Sequence, residues 1–209
     1  MRNKVSDVTG SLTAVVTPFR DSNVDRVALA RLCERQIDRG TAALVVCGST
    51  GEAASLILSE YAGAVVTAVE VAAGRVPVIA GCTAFATAAA IGMGTEAASA
   101  GAAALLCAVP PYVKPTQEGI VAHIRAIADA TGLPIVLYDV PSRSGIAISD
   151  DTIVRLRDAG LICGLKDATA DLSRPPDFVH DAAKPLRNGA ATMQPLRPIG
   201  RWVVAVVSQ

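Results

Sequence analysis

At 209 residues the chain is long enough for one domain with a substantial core. Nineteen basic and nineteen acidic side chains cancel, and no basic cluster appears, which argues against nucleic acid or an anionic membrane surface as a partner. Half of the residues are hydrophobic (51%) but only 3% are aromatic, an Ala-, Val-, Ile-, Leu- and Gly-rich makeup that fits an α/β fold with buried parallel strands.

The start, Met1 to Thr9, is polar and lacks the apolar core of a signal peptide, and no apolar run reaches the length of a membrane span. A cytoplasmic location is therefore expected. From Gly10 to Asp167, short apolar runs alternate with helix-period segments. The expected strands are Leu12–Thr17, Ala43–Cys47, Val78–Ala80, Ala104–Ala108, Ile135–Tyr138 and Ile162–Lys166. Between them the spacing predicts helices near Arg26–Arg39, Ser59–Ala73, Thr87–Ala100, Gln117–Ala130 and Asp150–Asp158. Gly40, Gly74, Gly101, Gly132 and Gly160 fall where these helices should stop, and Ser59 and Ser149 where two should start.

Strict alternation of this kind implies a parallel sheet, either doubly wound or closed as a (β/α)8 barrel. No GxGxxG turn follows the first strand, which weakens the dinucleotide-binding version. Polar groups gather instead at the C-terminal ends of several strands: Thr17, Ser49, Thr50, Tyr112, Tyr138, Arg143 and Lys166. A barrel builds its active site in that way, and the barrel is the favoured reading.

Five scattered cysteines, Cys33, Cys47, Cys82, Cys107 and Cys163, lack CxxC spacing and have only His123 and His180 for company. Buried reduced thiols are expected, with no metal site. Lys166 ends an apolar run. Alone it reads as a strand-end lysine reaching to solvent, but burial would lower its pKa and make it a candidate Schiff-base nucleophile.

Its neighbours in sequence order change the balance. Gly48-Ser-Thr-Gly-Glu52 offers the Ser49 and Thr50 hydroxyls and backbone N–H groups to a carboxylate. Pro110 to Gly119 (PPYVKPTQEG) sets Tyr112 on a rigid turn. Leu137 to Gly145 (LYDVPSRSG) carries Tyr138 and, five residues on, Arg143, whose planar fork suits a carboxylate.

Together with the opening GSLTAVVTPF, GRVPVIAG and GLKDATADL, these motifs resemble the dihydrodipicolinate synthases of the N-acetylneuraminate lyase superfamily, over about residues 10–174. The resemblance implies a (β/α)8 TIM barrel and a lyase-class condensation of pyruvate with aspartate semialdehyde in lysine and diaminopimelate biosynthesis. It assigns the imine to Lys166, proton relay to Tyr138, Thr50 and a neighbouring subunit's Tyr112, and substrate binding to Ser49, Thr50 and Arg143. It implies no dissociable cofactor beyond the covalent pyruvate imine on Lys166, no metal, small-molecule substrates, and a homo-oligomer, dimer or tetramer. A sugar-acid lyase or keto-sugar aldolase of the same superfamily is the alternative, as is a non-catalytic remnant. Lysine-inhibited members bind lysine with ionisable and amide side chains at positions that correspond here to Leu58, Tyr61, Phe85, Ala89 and Pro111, so no lysine binding is expected.

Residues 1–172 are expected to form the barrel portion, and after about Leu172 the resemblance stops. Residues 173–209, which include the only tryptophan, match nothing further in the family, so six native strands of an incomplete barrel are expected. Back-translating Gly189 to Leu196 and reading each codon one base early changes the picture. The Met193–Gln194 junction then must encode Ala, and the whole window permits SGDDATA, the family's next motif. The Trp202–Val203 junction must encode Gly, and the following residues permit a GSGCIS-like segment. Two motifs in one shifted frame point to a single frameshift between about Ser173 and Gly189.

Overall fold

The computed structural model of the chain describes Val5 and residues 8–171. All six expected strands form, as β1 (Leu12–Ala14), β4 (Ala43–Val46), β5 (Val78–Gly81), β6 (Ala104–Ala108), β7 (Ile135–Asp139) and β8 (Gly164–Asp167). The helices are α1 (Arg26–Asp38), α2 (Leu58–Ala72), α3 (Thr87–Ser99), α4 (Gln117–Thr131) and α6 (Asp150–Asp158). The sequence did not announce a hairpin, β2 (Phe19–Arg20) and β3 (Asn23–Val24), nor a short helix, α5 (Pro141–Ser144). The hairpin turns on Asp21 and Ser22, both at positive φ (50° and 62°), as a tight two-residue turn requires. Residues 173–209, and with them the frameshift reading, lie outside the described residues.

The sheet is parallel throughout and runs β1-β4-β5-β6-β7-β8. Each strand pairs with its successor in the chain. A doubly wound sheet would reverse its order at a switch point, whereas unbroken succession is the barrel's order. Among the described residues β1 and β8 have no outer partner, so the sheet is a curled, incomplete barrel of six strands.

Alternation along each strand divides the core in two. Leu44, Val46, Leu105, Cys107, Ile135, Leu137 and Leu165 face the helix layer. Ala43, Val45, Ile79, Leu106, Val136 and Tyr138 face the barrel interior. Lys166 is one residue out of step with Leu165, so it shares the interior face with Tyr138.

The first strand is shorter than expected. It ends at Ala14, and Thr17 lies beyond it, buried, with its hydroxyl donating to the Gly51 carbonyl at 2.7 Å. Ser149 caps α6 as expected, accepting the Thr152 N–H at 3.3 Å. Ser59 does not cap α2. That helix begins one residue earlier, where the Glu60 carboxylate accepts the Ile57 N–H at 3.0 Å and does the same work from inside the first turn. All five cysteines are free thiols and four are fully buried, with Cys163 half-buried. Burial pushes the Cys33 thiol up to about 11 and that of Cys47 to about 12, so neither is a thiolate near neutrality.

Candidate active site

The turn after β4 is built by close backbone contact. Cys47 closes the strand at φ 51°, and its carbonyl oxygen would stand 1.9 Å from a Cβ placed on Gly81. Only glycine at 81 lets β5 pass so near. Gly51 N–H donates to the Gly48 carbonyl (3.0 Å) and Glu52 N–H to that of Ser49 (3.2 Å), while Thr17, in the segment after β1, donates to the Gly51 carbonyl. Ser49 and Thr50 are left exposed at the tip, and their N–H groups donate to no partner among the described residues.

At the opposite side, β7 and β8 place Tyr138 directly across from Lys166. The Lys166 Nζ lies 4.1 Å from the centroid of the Tyr138 ring, within cation–π range. Burial holds the amine below the ordinary lysine value, and the nearby Arg143 charge lowers it further. Arg143 stands on α5, which Pro141 opens at its first position and Gly145 closes at φ 78°.

Between the two sides lies a cavity of about 530 Å³. Ser49, Glu52, Thr83, Tyr138, Arg143 and Ser144 form its polar wall, and Ala53, Leu56, Phe85, Ala89, Met93 and Pro111 its apolar one. Three expected site residues, Lys166, Thr50 and Tyr112, do not line it. Lys166 rests on the ring of Tyr138, which does. Thr50 is on the exposed turn beside Ser49. Tyr112 is 87% exposed, because φ 69° at its own backbone and 45° at Lys114 turn the loop after β6 outward.

Glu52, Thr83 and Ser144 were not singled out from sequence as site residues. Glu52 lay in view within the GSTGE turn, whereas Thr83 gave no signal: its hydroxyl accepts the Ala108 N–H at 3.1 Å and joins β5 to β6 at the rim. Of the two histidines, His123 is buried with Nδ1 at 2.9 Å from the Thr87 hydroxyl, and His180 lies outside the described residues. Among the described residues no group of three or more His, Cys, Asp or Glu could hold a metal ion, and no helix is long and apolar enough to cross a membrane.

Comparison with known proteins bears directly on this arrangement. The 4-hydroxy-tetrahydrodipicolinate synthase of Laribacter hongkongensis is 47% identical over 178 residues, covering 85% of this chain and 61% of that relative. The crystal structure of the chloride-inhibited dihydrodipicolinate synthase from Acinetobacter baumannii complexed with pyruvate superposes with a TM-score of 0.80 at 42% identity, covering 83% of this chain and 60% of that one. That of the enzyme from Cyanidioschyzon merolae with lysine bound gives 0.76 at 34%, covering 80% and 58%. The chain thus spans about three-fifths of the length of the relatives it matches. The model of the dihydrodipicolinate synthetase family matches residues 7–190, and with that match, the successive strand order and the lysine–tyrosine pair at the ends of β7 and β8, the chain belongs to that family.

Proposed function

We propose that the chain condenses pyruvate with aspartate semialdehyde through an imine on Lys166, giving 4-hydroxy-tetrahydrodipicolinate. The observation that carries this reading is the lowered amine of Lys166 beside Tyr138 and Arg143. An ordinary lysine, with a pKa near 10.4, is neutral in only about one molecule in a thousand at neutral pH, and each unit of lowering multiplies that fraction by about ten. Burial and the Arg143 charge both act in that direction.

The pyruvate carboxylate sits on the free N–H groups and hydroxyls of Ser49 and Thr50. The neutral Lys166 amine attacks the pyruvate carbonyl carbon, and loss of water gives the imine. Tyr138 moves protons in that step and in removal of a methyl proton, which leaves an enamine. The enamine carbon adds to the aldehyde of aspartate semialdehyde, whose carboxylate pairs with Arg143 in a bidentate contact. The amino group of that substrate then attacks the imine carbon, closes the ring and releases Lys166. Every bond made or broken is supplied by substrates and side chains, and the reaction draws on no dissociable cofactor.

Tyr112, turned outward at the mouth, serves the site of a second copy of the chain, so a homo-oligomer is the working form, in the cytoplasm. A non-catalytic remnant is favoured by one observation, that among the described residues β1 and β8 have no outer partner.

Borohydride reduction in the presence of labelled pyruvate tests the reading. A single adduct on Lys166 is expected, with a trapping rate that rises with pH and reaches half-maximum below the ordinary lysine range. A cooperatively unfolding sample without that adduct would establish the remnant instead.

A further inference from the structure

The segment that carries Arg143 is held by a side chain with no part in the chemistry above. Asp139 ends β7, one residue out of step with Tyr138 and so on the opposite face of the sheet, where it is 1% exposed. Its Oδ1 accepts the Ile148 N–H at 3.2 Å, and its backbone carbonyl accepts the Ala168 N–H at 2.8 Å. One residue therefore anchors the far end of the 140–148 segment and also joins β7 to the chain just beyond Lys166. Inside the segment the buried Ser144 hydroxyl reaches the carbonyl oxygens of Val140 and Ile146 at 3.0 and 2.8 Å. Placing a carboxyl at such depth is costly unless its hydrogen bonds do something an apolar side chain cannot. Here they close a loop of irregular backbone whose one exposed cation, Arg143, must stay at the cavity wall.

We propose that Asp139 is a positioning residue of the site: by anchoring residues 140–148 it fixes the Arg143 guanidinium at the cavity wall, at its working distance from Lys166. This rests on Arg143 and Lys166 acting together as in the reaction above. A loosened segment lets the guanidinium turn to solvent, and the amine, relieved of a neighbouring positive charge, regains basicity.

The test uses the full chain and needs no turnover. Acylation of lysines by acetic anhydride is followed against pH by peptide mass spectrometry, with the exposed Lys114 as internal reference. In Asp139→Ala, Lys166 acylation near pH ~8 is expected to slow about threefold relative to Lys114, the mark of a pKa raised by about half a unit. Asp139→Asn keeps an oxygen for the Ile148 N–H and is expected to follow the parent chain. An unchanged profile in the alanine variant, or an asparagine variant that shifts as far as alanine, overturns the proposal. Should Asp139→Ala fail to fold, Ser144→Ala loosens the same segment and takes its place, with a slowing in the same direction expected and an unchanged profile equally fatal. Pyruvate trapping separates the two ideas: a shifted profile without a pyruvate adduct removes the reaction and leaves the clamp, and an adduct with an unshifted profile removes the clamp.

Discussion

Lys166 works against the stability of the fold that holds it. Its folded pKa lies below the ordinary value, so between the two the unfolded chain binds more protons than the folded one. Stability on its account rises with pH through that window and is complete only above the ordinary value near 10.4. Near neutrality the residue is a stability cost, which the proposed reaction on its amine would account for. A second residue-scale expectation concerns the cavity's apolar wall. Phe85, Ala89 and Pro111 line it, and Leu58 and Phe85 are 48% and 65% exposed. By the sequence resemblance these, with the buried Tyr61, correspond to the positions at which lysine-inhibited members would hold lysine. None of these five side chains carries a charge near neutral pH, so at those positions lysine's ammonium meets no carboxylate, and a charge left unpaired there is costly. Calorimetric titration is expected to show no saturable lysine binding up to low-millimolar concentration.

At the scale of elements, the packing of β5 on the turn after β4 decides where Ser49 sits. A methyl group on Gly81 would meet the Cys47 carbonyl carbon at 2.5 Å and its oxygen at 1.9 Å, and backbone atoms cannot yield as a flexible side chain would. Gly81→Ala is therefore expected to destabilise the chain by roughly 3 kcal/mol or more and to displace the GSTGE turn. Gly92, on α3, has open space around its missing Cβ. Gly92→Ala is expected to stabilise by about 0.5–1 kcal/mol, because alanine restricts the unfolded chain and favours the helix. Urea unfolding of the two variants checks both signs in one experiment.

At the scale of the whole molecule the deciding feature is that, among the described residues, β1 and β8 have no outer partner. An open edge of parallel sheet presents unpaired backbone groups, and Ile57, Phe85, Tyr112 and Val113 are exposed large apolar side chains. The shifted-frame motifs read within residues 189–209 supply a specific expectation. Resequencing the gene across codons 173–189 should reveal a one-base slip, and the chain encoded by the restored frame should melt at a higher temperature. For a domain of this size each kcal/mol gained raises the midpoint by about 2–4 °C. An intact single frame would remove the frameshift idea.

The sequence by itself determined the six strands of the sheet, the five main helices and their order. Short apolar runs located the strands, and helical period with glycine stops located the five main helices within a residue, since hydrophobic period and helix termination are local properties. Lys166, Tyr138, Arg143 and Ser49 were legible for the same reason, because each sits in a short motif at a strand end. Thr50 and Tyr112 were legible as polar groups, but their exposure depended on backbone twists at positive φ in loops, which composition does not announce. What only the tertiary structure decided is which residues meet across strands. Register sets Tyr138 against Lys166 and brings Asp139 to both Ile148 and Ala168. Register follows from how whole faces pack, so no single segment encodes it.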